Sequence, residues 1–389
     1  MKLKFAHSYV NILLVIMPLG VLGQLSKGGT PIKVEKLKSA SYISDLVAMP
    51  SLDNTTLKMQ NSRIDQNQLK PFTFAHSFDV ALNLNNSGVW YNTSKVNVWQ
   101  LHIRSTGAYS LNLIFDRFRL PENARLFIIN ENSGEIKGAY TSENNSESNV
   151  FAVEPISGEE LLLQYEEPVN VPYRGEIEIA KVAHDFVGIT AKDHRPLGLS
   201  GTCNINVNCD IANGSENIRD GVCRIIINGT ELCTGTLVNN TSLDGTPYVL
   251  TAYHCLVDAA KQKTQEQLAQ ASVFLFNYES PYCGSIDGDV SHSLSGSTLK
   301  ASFDSLDFSL VRLSNNTIPN QFRPYLVGWN RKNSAPSSSI CIHHPLGDIK
   351  KIAIDNNAAV TAKLNSTYLN NGFWNILTWE HGVTEEGSS

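Results

Sequence analysis

Three short segments of this sequence carry the residue types of acyl-transfer chemistry. Thr251-Ala252-Tyr253-His254-Cys255 follows an apolar run, Asp307-Phe308-Ser309-Leu310 opens an alternating one, and Gly387-Ser388-Ser389 closes the sequence. Acyl transfer from a serine needs a base to take the hydroxyl proton, and an acid to fix the base's tautomer and steady its charged form. It also needs two backbone N–H groups aimed at the developing oxyanion. The order His, Asp, Ser is one of the known orders for that geometry. Asp304 is the rival acid. Asp307 is preferred because alternating apolar residues follow it directly.

Other constellations carry less chemistry. His343 and His344 are adjacent, so on a strand they point to opposite faces and cannot easily share a metal ion; a structural role is expected. Glu385 and Glu386 face apart in the same way, which argues against a carboxylate pair for glycoside hydrolysis. The seven cysteines, Cys203, Cys209, Cys223, Cys233, Cys255, Cys283 and Cys341, include no C-x-x-C pair, so no zinc cage is indicated. No phosphate-cradling glycine motif is present. We expect no metal and no cofactor.

These groups must be held by a fold of β-strands. The chain has 389 residues, 42% hydrophobic and 17% charged, enough for two or three domains. A net charge of -6 argues against a general binder of nucleic acid or anionic membranes. Lys2 and Lys4 precede an apolar run from Val10 to Leu22 that is too short to span a bilayer. Val21 and Gly23 are small, so residues 1–23 read as a signal peptide cut before Gln24, and the mature protein is expected to be secreted. In that compartment cysteines are disulfide candidates, and an odd number leaves one without a partner in this chain.

Residues 24–70 are polar and irregular, with a short helical stretch expected around Val34–Leu46. In 71–196, Trp99, Leu101 and Ile103 alternate with polar residues. So do Leu111, Leu113 and Phe115, then Leu161, Leu163 and Tyr165, then Ile177 and Ile179, the pattern of a β-sandwich. The histidines and carboxylates of this region read as surface residues. A loop at His194–Gly201 marks the domain boundary. Beyond it, strands are expected at Val222–Ile227, Leu232–Leu237, Tyr248–Thr251, Val273–Tyr278 and Phe308–Leu313. Asn228-Gly229 and Asp244-Gly245 are turn pairs, and an amphipathic helix is expected over Val257–Ala271. The fold class is all-β.

Residues 198–389 resemble the chymotrypsin-fold serine proteases, and most closely the bacterial lysyl endopeptidases. Thr251–Cys255 is similar to that family's T-A-x-H-C box, and Cys233-Thr234-Gly235 to its upstream C-[ST]-G. Ser200-Gly201-Thr202-Cys203-Asn204-Ile205 resembles the lysyl endopeptidase mature start. Ile342-His343-His344-Pro345 and Gly382-Val383-Thr384-Glu385 resemble that subfamily as well. The resemblance implies a trypsin-like double β-barrel in 197–389, with His254 as general base, Asp307 as its orienting acid and Ser389 as nucleophile. The N–H groups of Gly387 and Ser389 would form the oxyanion hole. It implies disulfides Cys233–Cys255 and Cys209–Cys283. The family bonds the equivalent of Cys203 to a cysteine beyond the nucleophile; Cys223 and Cys341 are then either a pair or two buried thiols.

Together these features lead to the expectation of a secreted serine endopeptidase precursor acting on proteins or peptides. Trypsin-like enzymes place an Asp six residues before the nucleophile; Val383 stands there, so the pocket is not trypsin's. Cleavage after Lys is implied by the resemblance alone. The sequence stops at Ser389, so the second barrel is expected to be incomplete and this exact chain inactive. Two further readings stay open: a non-catalytic protease homologue, and, for 71–196, a permanent β-sandwich binding partners or carbohydrate rather than a removable propeptide.

Overall fold

In the computed structural model the alternating segments pair as strands of two facing sheets. The structure describes residues 26–34, 45–62, 69–190, 199–284, 286–363 and 372–388. The signal-peptide stretch, most of Val34–Leu46, most of the boundary loop and Ser389 lie outside these residues. In one sheet, Val96–Arg104 pairs with Leu46–Ala48, Val89–Asn92 and Glu160–Pro168, and the sheet continues through Arg125–Asn130 to Glu135–Tyr140. In the other, Ser110–Arg119 and Glu176–Asp185 lie side by side, flanked by Ala75–Asn83 and by Ile156–Ser157. Trp99, Leu101, Ile103, Leu163 and Tyr165 from the first sheet meet Leu111, Leu113, Phe115, Ile177 and Ile179 from the second in one core. Period-2 alternation has therefore put one face of each sheet inside a sandwich.

One expectation for this half needs correction, and one helix, Asn54–Ser62, was not foreseen; Leu46–Ala48 is a strand. Asp53 starts that helix, accepting from the Thr55 N–H at 3.0 Å and the Thr56 hydroxyl at 2.6 Å. Nor are the polar residues all on the surface: Glu166, Glu167, His184 and Asp185 are buried. They bury because each has partners. Asp185 accepts from the backbone of Val187, Gly188 and Ile189 and from Ser110. His184 contacts Ser105 and Asn54, at 2.7 and 2.8 Å. Burial lowers the imidazole of His184 to about 4, so it is neutral and links its strand to the turn at Ser105 and to the helix start at Asn54.

The second half is built on an eight-stranded sheet. Its path runs Ser293–Ser295, Val273–Phe276, Val222–Ile227, Glu231–Val238, Tyr248–Thr251, Phe308–Leu313, Ser297–Phe303. The two end strands are consecutive in the chain and separated only by Gly296, at φ +77°. The sheet thus curls back on itself. Cys223, Ile225, Ile227, Leu237, Val249, Phe274, Phe276, Val311 and Leu313 fill its interior. Gly235 sits among them because a Cβ there would lie 2.6 Å from Val249 and 2.7 Å from Ile225. A three-stranded sheet of Ile205–Asn206, Lys351–Asp355 and Ser339–His343 comes next, with a two-stranded one of Val360–Ala362 and Phe373–Asn375. The strands at Val222–Ile227, Tyr248–Thr251 and Phe308–Leu313 have the expected bounds. The helix does not: it is only Gln265–Gln270. The Asp258 carboxylate accepts from the N–H groups of Ala260, Gln262 and Lys263, which holds that stretch as a loop.

Cys209–Cys283 is a disulfide. Cys203, Cys223 and Cys341 are unpaired, and burial pushes the thiols of Cys223 and Cys341 up to about 12 and about 11.

Sandwich and barrel share a boundary of side chains and backbone. Phe74, Ala75, Ile114 and Ala183 pack against Ile226, Leu232, Ala271 and Val273. Phe72–Thr73 adds to the barrel sheet, Phe72 opposite Leu232 and Thr73 opposite Glu231. Glu231 is half-buried there, and burial with the nearby Asp258 raises its carboxyl to about 7 against the opposing pull of Lys70.

Two outcomes are expected. Leu163→Ala should cost about 2–5 kcal/mol in urea unfolding, because the closely packed sandwich core cannot fully collapse into the cavity. An acid whose folded pKa is raised contributes stability that is complete below its unfolded pKa. That contribution is lost as pH rises through the folded value. Comparing wild type with Glu231→Gln from pH 4.5 to 8 should therefore show wild type losing on the order of 1–3 kcal/mol more than the variant, the loss spread between about pH 4.5 and 7 and levelling off above. Parallel curves would refute the assignment.

Candidate active site

His254 is placed by the end of a strand. Tyr248–Thr251 pairs with Phe308–Leu313, Thr251 opposite Ser309. The chain leaves Thr251 through Ala252 and Tyr253 into a single helical turn, His254–Leu256. On the neighbouring strand a turn over Asp304–Leu306 ends with Asp307 in the left-handed region, at φ +49° and ψ +48°. Asp is one of the few residues that tolerate that conformation. Because the two strands are antiparallel, the exit from one and the entry to the other lie at the same end of the pair and bring His254 and Asp307 together.

The contact is double. Nδ1 of His254 lies 2.8 Å from Oδ2 of Asp307, and the His254 backbone N–H donates to Oδ1 at 3.0 Å. Both side chains are about nine-tenths buried, at 10% and 9% exposure. A carboxylate only accepts, so Nδ1 carries the hydrogen and Nε2 is left as the basic nitrogen of the neutral ring. Asp304 instead bonds the backbone and hydroxyl of Ser305. The geometry thus separates the two aspartates as the strand pattern did. Cys233–Cys255 is a disulfide that ties the turn carrying His254 to the strand Glu231–Val238. Cys233, His254 and Cys255 cluster closely, but the two sulfurs are bonded to each other and are not thiolate ligands.

His254 lines a cleft of about 820 Å³ whose other residues include Leu346, Thr384, Glu385, Glu386, Gly387 and Ser388. The loop Glu385–Ser388 is tightly held. Glu386 O accepts from Leu346 N–H at 2.6 Å, Ser388 N–H donates to Glu385 O at 3.1 Å, and Glu385 N–H donates to the Ser388 hydroxyl at 3.0 Å. Gly387 has φ +80°, and a Cβ there would lie 3.3 Å from the His344 carbonyl. The Ser388 hydroxyl also meets Nδ1 of His343 at 2.7 Å. The serine after it, Ser389, lies outside the described residues.

His343 and His344 are both buried, and burial lowers their imidazoles, that of His343 to about 4. They are neutral structural groups. His344 Nδ1–H donates to the Asp348 carbonyl at 2.9 Å. Glu385 and Glu386 have separate partners: Glu385 takes the Gly201 N–H, and Glu386 lies 3.6 Å from the Lys70 ammonium.

Three residues of the site did not stand out by type. The Thr234 hydroxyl donates to Gly387 O at 2.7 Å and accepts from His344 N–H at 3.0 Å, while Thr234 O accepts from the Thr251 hydroxyl at 2.8 Å. It therefore joins the barrel strand to the glycine loop, and the C-[ST]-G pattern was its only signal. Lys70, with Leu69, reaches the cleft from the N-terminal half. No sequence pattern marks Leu69 or Lys70.

The family described as lysyl endopeptidase, C-terminal domain, matches residues 197–389. The lysyl endopeptidase of Pseudomonas aeruginosa is 25% identical over 247 residues, which cover 60% of this chain and 51% of that protein. The chain spans about half the length of this curated relative. Residues 197–389, all-β in fold, are thus similar to the C-terminal domain of lysyl endopeptidases.

Proposed function

We propose that the protein is the precursor of a secreted serine endopeptidase that hydrolyses peptide bonds through an acyl-enzyme, with His254, Asp307 and Ser389 as its triad. The supporting observation is the double contact between His254 and Asp307 at one wall of a cleft whose other wall is the Gly387-Ser388 loop. In this reading the Ser389 hydroxyl gives its proton to Nε2 of His254 as its oxygen bonds the substrate carbonyl carbon. The oxyanion that forms is met by the N–H groups of Gly387 and Ser389. His254 then passes the proton to the leaving amine as the C–N bond breaks. Water, deprotonated by the same imidazole, hydrolyses the ester. Asp307 holds the tautomer throughout and stabilises the imidazolium.

The Gly387 carbonyl is held by the Thr234 hydroxyl, which orients the peptide plane leading into Ser388. Secretion is supported by the N-terminal apolar run and by the two disulfides. The described residues contain no helix long and apolar enough to cross a membrane. Residues 71–196 stand in the position of a lysyl endopeptidase propeptide, and cleavage after Lys is the specificity we assign. A non-catalytic homologue would have no need of the buried His254–Asp307 contact.

In the full-length protein His254→Ala should lower kcat by about 10⁴-fold or more with unchanged circular dichroism. Asp307→Asn should lower kcat on the order of 10⁴-fold by favouring the wrong tautomer. Asp304→Asn should leave kcat within about twofold, since an exposed turn carboxylate makes no transition-state contact. Peptidase assays on lysine-containing substrates read all three. Wild-type rates from His254→Ala would end the proposal.

A further inference from the structure

The cleft beside His254 is bordered on one side by the protein's own N-terminal half. Leu69 and Lys70 line it together with His254, Gly387 and Ser388. The next residue is Pro71, which is buried, and then Phe72–Thr73 runs antiparallel to the barrel strand at Leu232 and Glu231. The N–H groups of Phe74 and Ala75 continue the contact by donating to Thr230 O at 2.9 and 3.3 Å. Adding a strand to an open sheet edge is a common way for a protein to hold an extended peptide. This segment is held in that way and leads directly into the candidate catalytic cleft.

Its placement is fixed at both ends. Phe74 is 1% exposed at the sandwich–barrel boundary, and Phe74 O accepts from the Phe186 N–H at 3.1 Å. From Ala75 the chain is a strand of the sandwich. At the cleft end, the Lys70 ammonium lies 3.6 Å from Glu386, the residue just before Gly387, with the lysine side chain 17% exposed and that of Glu386 34%. A long cationic side chain that faced open water would lose less rotamer freedom than one lodged against the glycine loop. Lys70 is held there by a carboxylate and by the strand after it.

We infer that Leu69–Thr73 is a built-in pseudo-substrate that occupies the cleft, with Lys70 in the place of the residue before a cleaved bond and Pro71 protecting that bond. The inference rests on the protease reading above and goes beyond it by naming the occupant. Proline protects by its chemistry. The Lys70–Pro71 bond is a tertiary amide, and its leaving nitrogen belongs to a ring with no N–H. The ring carbons crowd the approach of the acid that must protonate that nitrogen. Proline also confines the residue before it to extended conformations, which suits a strand-like inhibitor. Because the segment is tethered to the sandwich, it acts at high effective concentration without needing high intrinsic affinity.

Replacing the proline should turn the inhibitor into a substrate. With Pro71→Ala, Ser389 Oγ would bond the Lys70 carbonyl carbon and the Lys70 C–N bond would break. The proton taken by His254 would go to the new α-amine of residue 71, and water would release the Lys70 carboxylate. Full-length Pro71→Ala protein should therefore yield a free N-terminus at position 71, found by mass spectrometry and absent when His254→Ala is added. A Pro71→Ala protein that hydrolyses an added lysine peptide yet stays uncut at Lys70 would overturn the inference and leave the proposed function standing. If neither is cut, the proposed function fails. Hydrogen exchange, which needs no catalysis, then decides the docking. In wild type, peptide 69–74 should be protected, and Lys70→Glu should speed its exchange about tenfold or more while 75–83 is unchanged. Equal exchange in the two proteins would overturn the inference.

Discussion

The Thr234 hydroxyl is the joint on which the candidate site depends. It accepts from His344 N–H and donates to Gly387 O, while its own backbone carbonyl takes the Thr251 hydroxyl. One residue of a barrel strand thus touches the strand that delivers His254 and the loop that precedes Ser389. Groups contributed by distant parts of a chain can act together only if their relative position is fixed to fractions of an ångström. A hydroxyl that both donates and accepts, buried so that water does not compete, supplies such a constraint. Serine could make the same two bonds, but it lacks the β-branch that holds χ1 in a strand.

The barrel strands around Thr234 work on two faces. Ile225 and Ile227 point into the barrel, and Ile226 points to the sandwich. Leu232 does the same on the next strand, while Cys233 faces inward and bonds Cys255. Arg224 lies on the outer face too, nearly fully buried, donating to Gly347 O at 2.7 Å and stacked 4.2 Å from the Tyr278 ring centre. The strand therefore reads as an unbroken apolar run with one buried arginine. Charge is tolerated there because carbonyl and ring face the guanidinium.

Much of this was legible in the sequence. Strands with strict alternation or continuous apolar character, such as Val222–Ile227 and Phe308–Leu313, were found at their bounds because burial imposes the pattern directly. The contact of His254 with Asp307 rather than Asp304 was legible for the same reason, since only Asp307 abuts the strand. The helix over Val257–Ala271 was overdrawn because apolar spacing does not reveal that one carboxylate, Asp258, caps three backbone N–H groups. His184 and Asp185 were misplaced on the surface because nothing local announces Ser105 and Ser110, partners 75 or more residues away, and the backbone N–H groups that Asp185 caps at 187–189 carry no side-chain pattern. Lys70 went unnoticed for a related reason. Its neighbours in the cleft come from the far end of the chain, and a lone lysine in a polar stretch carries no pattern.

The shared boundary between sandwich and barrel also has a bearing on the order of events at the ribosome. A chain emerges from its N-terminus, and domains generally fold as units in that order. Residues 71–190 would be complete in outline before Glu231–Val238 has been made. The sandwich would then already display Phe74, Ala75, Ile114 and Ala183 as an apolar platform, with Phe72–Thr73 beside it as an unpaired edge. The first barrel strands to appear carry Ile226 and Leu232, the residues that dock on that platform. An all-β barrel is slow to assemble because its pairings are far apart in sequence. A preformed template supplies one pairing at the outset and shields two aggregation-prone strands while the remainder of the barrel is synthesised.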